Sequence, residues 1–193
     1  MQEMSKQIKI AITGTIGSGK SEVSNYLRNK GYYVFDCDEE NRKLLNKGEL
    51  GYIKVKETFP ECFIYDDLDK AKLANLVFTD IHAKEKLESI MHPLILERLN
   101  QCQNDVLFAE VPLLFEVNWE KYFDYSILVI SDENIVLKRL VDRGLDLIDA
   151  KNRINNQMSV DDKKTRTNQI IYNNGSLADL HNNIDNWLKE YVG

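Results

Sequence analysis

The sequence predicts an α/β fold, a parallel five-stranded sheet flanked by helices. Three observations predict it. Five short apolar runs, near residues 8–12, 32–35, 106–110, 125–130 and 169–172, have the length and composition of strands. Helical patterns separate them, the alternation that builds a parallel sheet. The first run leads straight into a glycine-rich turn and then a helix. A chain of 193 residues suits one domain with small insertions, and 43% hydrophobic residues are ample for its core.

The first element carries the most specific chemistry. Ile8, Ile10, Ala11 and Ile12 form the strand, and Gly14 to Ser21 (GTIGSGKS) fits G-x-x-x-x-G-K-[ST]. Glycines let the backbone of Gly14, Thr15, Ile16, Gly17, Ser18 and Gly19 turn sharply and aim successive N–H groups at phosphate oxygens. Lys20 supplies a mobile cation for the β- and γ-phosphates, and the Ser21 hydroxyl can ligate Mg²⁺. The helix that follows adds its positive end. It takes in Glu22, groups Val23, Tyr26 and Leu27 on one face, and stops at Gly31. The pattern places the chain among P-loop NTPase-type domains, with ATP and Mg²⁺ as the expected cofactors.

The second strand, Tyr32 to Phe35, delivers Asp36-Cys37-Asp38 at its carboxyl end, where ligands sit in open parallel sheets. Both aspartates are candidates for Mg²⁺ binding or for accepting a hydroxyl proton. For Asp36, capping the next helix is an equal alternative. Residues 39–104 read as helical. Asp69 and Asp80 cap successive helices, and His92-Pro93 is expected to break the second, with Pro93 opening a further helix that carries Leu96 and Leu99. This stretch is too long for a plain crossover and reads as a helical insertion able to form a second binding surface. His92, taken alone, is more commonly a packed histidine than a ligand.

Val106 to Glu110 is an apolar run ending in a carboxylate, the pattern of a strand that helps hold Mg²⁺ beside a phosphate loop. Val111 to Glu116 (VPLLFE) is either a core edge or a wall of the substrate cleft. After Tyr125 to Ile130, Ser131 or Asp132 caps a helix that buries Leu137, Leu140 and Val141 and offers Arg139 and Arg143. Gly144 ends it and Asp146 caps another, with Arg153 near its end. Arginines on such a helical hairpin suit a lid that closes over ATP and excludes water. Lys138 and Lys151 read as solvated. Ser159 with Asp162 starts a further helix. Gln169 to Tyr172 is the last strand, and the stripe Leu177, Leu180, Ile184, Trp187, Leu188, Tyr191 is core packing.

A net charge of −6 argues against a general nucleic-acid surface, though not against a phosphate substrate. No apolar stretch approaches the roughly 20 residues of a membrane span, and the polar opening MQEMSKQ does not read as a signal peptide. Three widely spaced cysteines, without a C-x-x-C pair, point to a reducing compartment and hence the cytoplasm. A monomer or weak homo-oligomer is expected.

With these pieces in place the chain resembles the bacterial dephospho-CoA kinase family over nearly its whole length. The loop ITGTIGSGKS is similar to the family's T-G-G-I-G-S-G-K-S, and Asp36-Cys37-Asp38 to its D-A-D. His92-Pro93-Leu94-Ile95 matches H-P-L-I, Val111 to Glu116 matches V-P-L-L-F-E, and Ile171 to Ser176 matches I-x-N-x-G-S. The resemblance implies phosphorylation of the ribose 3′-hydroxyl of dephospho-CoA by ATP. It implies Asp38 as the catalytic aspartate, with Lys20 and Arg143 on the phosphoryl group and Arg139 toward ATP, Arg153 being an alternative candidate for the second lid arginine. Ser21 would hold Mg²⁺ with Glu110, and Asp36, Asp38, His92, Pro112 and Leu113 would meet dephospho-CoA. The core would comprise about 1–38, 105–138 and 167–193, the substrate-binding insertion about 39–104 and the lid about 139–166. Glu22 stands where the family has Thr and is expected to point away from phosphate. Cys37 replaces Ala, and Thr167-Asn168-Gln169 lacks the acidic pair common there. Two other readings compete. A nucleoside or nucleotide kinase of the same fold should not need VPLLFE and HPLI. A GTP-binding switch should carry N-K-x-D, to which Asn46-Lys47-Gly48-Glu49 is only a near miss.

Overall fold

Strand β1 (Ile8–Gly14) lies mid-sheet because its residues can be buried on both faces: Ile10, Ala11 and Ile12 are all in the core. The computed structural model describes residues 7–192, so most of the polar opening stretch lies outside the described residues. Helix α1 (Lys20–Asn29) follows the glycine-rich turn, and β2 (Val34–Asp36) comes next, starting two residues later than the aromatic run suggested. Between β2 and β5 (Val106–Glu110) lie α2 (Cys37–Leu44), α3 (Leu50–Thr58), β3 (Phe63–Ile64), β4 (Asp67–Leu68), α4 (Lys70–Thr79) and α5 (Ile81–Asn100). The chain continues through β6 (Tyr125–Ile130), α6 (Glu133–Asp142), α7 (Leu147–Asn155), α8 (Val160–Arg166), β7 (Gln169–Tyr172) and α9 (Leu177–Tyr191).

The chain separates into two compact units, one formed up to Phe35 and from Asn104 onward, the other of Asp36–Gln103. In the first, the five-stranded sheet runs β2-β5-β1-β6-β7. Strand β1 pairs in parallel with β5 (Ile10 opposite Phe108) and with β6 (Ile10 opposite Tyr125), and β6 pairs in parallel with β7. Helices α1 and α9 bring Val23, Leu27, Leu180, Ile184 and Trp187 onto Ile10, Ile12, Phe108, Ile127 and Val129. Ser176 and Asp179 form a capping box that starts α9. The strand ends Gly14 and Glu110 reach the same edge of this sheet, where open parallel sheets bind ligands.

The second unit packs α2, α3 and α4 against α5. Asp69 caps α4 and Asp80 caps α5 through backbone N–H groups, as their positions before apolar runs suggested. Two expectations fail here. The break at His92-Pro93 does not occur: α5 runs unbroken from Ile81 to Asn100 with Pro93 inside it. An internal proline costs a helix about 3 kcal/mol. Met91, Leu94, Ile95 and Leu99 are all buried, and burying four such side chains, at about 1.5–3 kcal/mol each, outweighs that cost. The region is also not purely helical, because β3 and β4 form a small antiparallel hairpin about Tyr65, whose φ is positive.

Candidate active site

The glycine-rich turn closes around the Lys20 side chain. The buried ammonium donates to Gly14 O at 2.9 Å and Thr15 O at 3.0 Å, which holds it within the loop. Lys20 is also the first residue of α1, whose opening turn presents N–H groups without intrahelical acceptors. Gly19 caps the helix in the left-handed region, and a Cβ there would lie 2.0 Å from Asn173 Nδ2. At Gly14 a Cβ would lie 2.4 Å from Val129 O, so only glycine lets the loop leave β1 this close to β6.

The outside of the loop is held as firmly as the inside. Ser18 O accepts from Asn173 Nδ2 (2.9 Å) and Arg139 Nη1 (3.3 Å), with Ser131 Oγ at 3.0 Å. Arg139 further donates to Gly17 O, Ser131 Oγ and Asn173 O. Its guanidinium is therefore spent on the loop and on the turn after β7. Ile16 N–H donates to Gln157 Oε1 at 2.8 Å, a tie between the loop crown and the segment after α7. Glu22 is exposed in the first turn of α1, where a carboxylate suits the positive helix end.

Glu110 ends β5 almost fully buried. Its Oε1 accepts from Ser21 Oγ at 3.1 Å and its Oε2 from Ser24 Oγ at 2.7 Å. Two charge-assisted bonds offset the cost of burying the carboxylate. Among the described residues no three His, Cys, Asp or Glu side chains gather to hold a metal. Mg²⁺ does not need such a cage: it binds through one or two protein oxygens, waters and substrate phosphates. Ser21 and Glu110, hard oxygens hydrogen-bonded to each other beside Lys20, fit that requirement.

Arg143 closes the C-terminal end of α6, exposed, one residue before the turn at Gly144. Asp146 caps α7 by accepting from Ile148 N and Asp149 N, and the Asp149 N–H holds its carboxyl below the usual aspartate range. Val136 and Leu140 of α6 enclose Ala150 of α7, while Leu147 and Ile148 stay exposed. After α7 the chain is anchored again. Lys163 is fully buried and donates to Glu116 Oε1 at 2.7 Å, which also accepts from Met158 N. Arg166 donates to Phe115 O and pairs with Glu120. The Val111–Glu116 loop is accordingly a core edge in part, with Val111, Leu114 and Phe115 buried. Leu113 remains exposed, and Pro112 O accepts from Thr13 Oγ1 at 3.4 Å.

In the second unit, Asp36 caps α2 by accepting from Glu39 N at 2.9 Å. Asp38 stands exposed in the first turn of the same helix. His92 sits mid-way along α5, half-buried, and burial pushes its pKa below the ordinary histidine value.

Asn173, Gln157 and Ser24 form contacts to which the sequence reading assigned no role, and Ser131, expected as a possible cap of α6, instead donates its hydroxyl to Ser18 O and Asn173 O. Asn173 lies within the I-x-N-x-G-S segment, which was its only signal. Gln157 and Ser24 are single polar residues whose partners lie 141 and 86 positions away.

Comparison with known proteins supplies a second line. A family model, dephospho-CoA kinase, matches residues 8–179. A Thermus thermophilus dephospho-CoA kinase is 36% identical over 197 residues, covering 99% of this chain and 95% of its own. One from Listeria innocua is 33% identical over 193 residues, covering 95% and 96%. The crystal structure of a Thermus thermophilus protein superposes with a TM-score of 0.85 at 35% identity, covering 97% of this chain and 99% of that one.

Proposed function

The chain belongs to the dephospho-CoA kinase family, and we propose that it transfers the γ-phosphoryl group of ATP to the ribose 3′-hydroxyl of dephospho-CoA, giving coenzyme A and ADP. The observation that carries this reading is the Lys20 ammonium held inside a glycine loop, in a chain that matches the family model over residues 8–179.

Phosphoryl transfer asks a protein mainly for positioning and charge stabilisation. In this reading the phosphates are received by the N–H groups of the loop other than those of Ile16 and Ser18, which donate to Gln157 Oε1 and Thr15 O, and by the first turn of α1, and Lys20 turns from Gly14 O and Thr15 O to the β- and γ-phosphates. Ser21 and Glu110 would hold Mg²⁺, which supplies charge neutralisation between the terminal phosphates. Asp38 orients the attacking hydroxyl and takes its proton. Arg143 reaches the phosphoryl group when the α6–α7 hairpin closes. Asp36, His92, Pro112 and Leu113 contribute to the acceptor site. Arg139 acts on ATP chiefly through the loop it braces. The reducing cytoplasm is the proposed compartment, and no helix among the described residues is long and apolar enough to cross a membrane.

The test of substrate class is a coupled assay of ADP release with ATP and Mg²⁺ across dephospho-CoA, nucleosides and nucleoside monophosphates. Turnover with dephospho-CoA alone is expected; preference for a nucleoside would overturn the reading. For Asp38, the Asn variant should lose turnover far more than ATP affinity, as measured by steady-state kinetics beside nucleotide titration. Equal losses would move Asp38 from chemistry to binding.

A further inference from the structure

We propose that Ser24 is a positioning residue for the divalent-ion side of the site, holding the Glu110 carboxylate in the orientation that turns Oε1 to the Ser21 hydroxyl. The inference rests on the Mg²⁺–ATP reading above.

A serine inside a helix ordinarily points to solvent or bonds back to the carbonyl four residues earlier. Ser24 does something else. It is completely buried in the second turn of α1, and its hydroxyl crosses to β5, where it donates to Glu110 Oε2 at 2.7 Å. Ser21 lies three positions earlier, on the same helix face, and donates to the other oxygen at 3.1 Å. The terminal torsion of a glutamate is broad, so one donor leaves the carboxylate free to swing. Two donors on one helix face fix both oxygens and thereby the plane of the group. Alanine at position 24 would favour the helix more, so the contribution of this hydroxyl is to the strand opposite.

Without Ser24 the buried Oε2 has lost its donor, and an unsatisfied buried acceptor is costly. The carboxylate then rotates to recover a bond, from Ser21 or from water. Either way the Ser21–Glu110 pair loses its fixed geometry. A residue that merely satisfied the buried charge would affect stability and leave metal-dependent nucleotide binding alone. A positioning residue affects the second quantity.

The experiment measures ADP affinity by calorimetric titration with and without Mg²⁺, on the wild-type chain, Ser24→Ala, Ser24→Cys and Glu110→Gln. The quantity read is the enhancement of affinity that Mg²⁺ confers. Loss of a group that orients a metal ligand typically weakens the metal about tenfold or more. Ser24→Ala is therefore expected to lose about tenfold of the enhancement, with metal-free ADP affinity unchanged. Ser24→Cys keeps the volume with a weaker donor and should fall between Ser24→Ala and wild type. It serves as the test should the alanine variant fold poorly. Glu110→Gln should lose at least as much as Ser24→Ala. Full enhancement in both Ser24 variants overturns the role of Ser24 while the Mg²⁺ reading stands. Equal losses with and without Mg²⁺ overturn it as well, by assigning Ser24 to loop packing. Absence of enhancement in the wild-type chain overturns the Mg²⁺ reading and this inference together.

Discussion

The phosphate loop and the α6–α7 hairpin belong to one unit yet are built in opposite ways. The loop is tied from inside by Lys20 and from outside by Ser131, Arg139, Gln157 and Asn173. The hairpin encloses a single buried residue of α7, Ala150, and leaves Arg143, Leu147 and Ile148 exposed. The difference matches the role proposed for each. A loop that recognises developing charge works best when its dipoles are already fixed, because no reorganisation is then needed during reaction. An element that must close over a substrate is drawn from the part of a fold with few buried contacts. Residues 157–166 separate the two regimes: Gln157, Lys163 and Arg166 pin the chain again just beyond the hairpin.

Four predictions sharpen that contrast. The largest effect is at the loop: Lys20→Ala should lower kcat by about 10³-fold, the scale of removing a preorganised donor to a transition state. The circular dichroism spectrum should be unchanged, and near-normal turnover would remove Lys20 from the mechanism. Arg143→Ala should lower kcat by at least about 10²-fold, toward the range known for arginines that neutralise a transferring phosphoryl. Its melting temperature should match wild type, since the side chain is exposed. A large fall in melting temperature would make Arg143 a structural residue and blur the contrast.

Gly19→Ala tests the rigidity of the loop. The added Cβ collides with Asn173 Nδ2 at 2.0 Å, at a φ of +101° that L-residues avoid. A displacement of about 1 Å in a positioning element typically costs about 10²-fold in rate. Turnover should fall by that order, and unchanged kinetics would show that the outer bracing is dispensable. The smallest effect is at the hairpin. The Asp149 N–H lowers the folded pKa of Asp146, so the cap is fully present above the ordinary aspartate value of 3.8 and is lost as pH falls through the lower folded one. The Ile148 amide resonance should titrate in that window while those of Gly17 and Ser18 stay still. Loop amides moving together with α7 would show that loss of the cap is carried to the loop, through the packing of Ile16 on Val136, Leu140 and Ala150.

Most of this architecture could be read from the chain because its signals are local. Strands β5, β6 and β7 fall where the apolar runs lie, and Asp69, Asp80, Asp146 and Ser159 each cap the helix they precede. The GTIGSGKS stretch announces its loop because every residue type there answers one local geometric demand. Pro93 misled because the cost of an interior proline is local, whereas the burial of Met91, Leu94, Ile95 and Leu99 that offsets it is tertiary. The outer bracing of the loop was hidden for a related reason. Asn173 reaches Ser18 across 155 positions, and the I-x-N-x-G-S segment that contains it carries no sign of that partner. Arg139 was legible as an arginine on a helix expected to face ATP, but its commitment to carbonyls of the loop was not.

The central claim is the reaction itself, and the identity of the product tests it most directly. The purified protein should be incubated with ATP, Mg²⁺ and dephospho-CoA, and the product examined by ³¹P NMR and mass spectrometry. The account predicts one new phosphomonoester, on the ribose 3′ position, formed in step with ADP. ADP release without that product, or a phosphate placed at another hydroxyl, would contradict it.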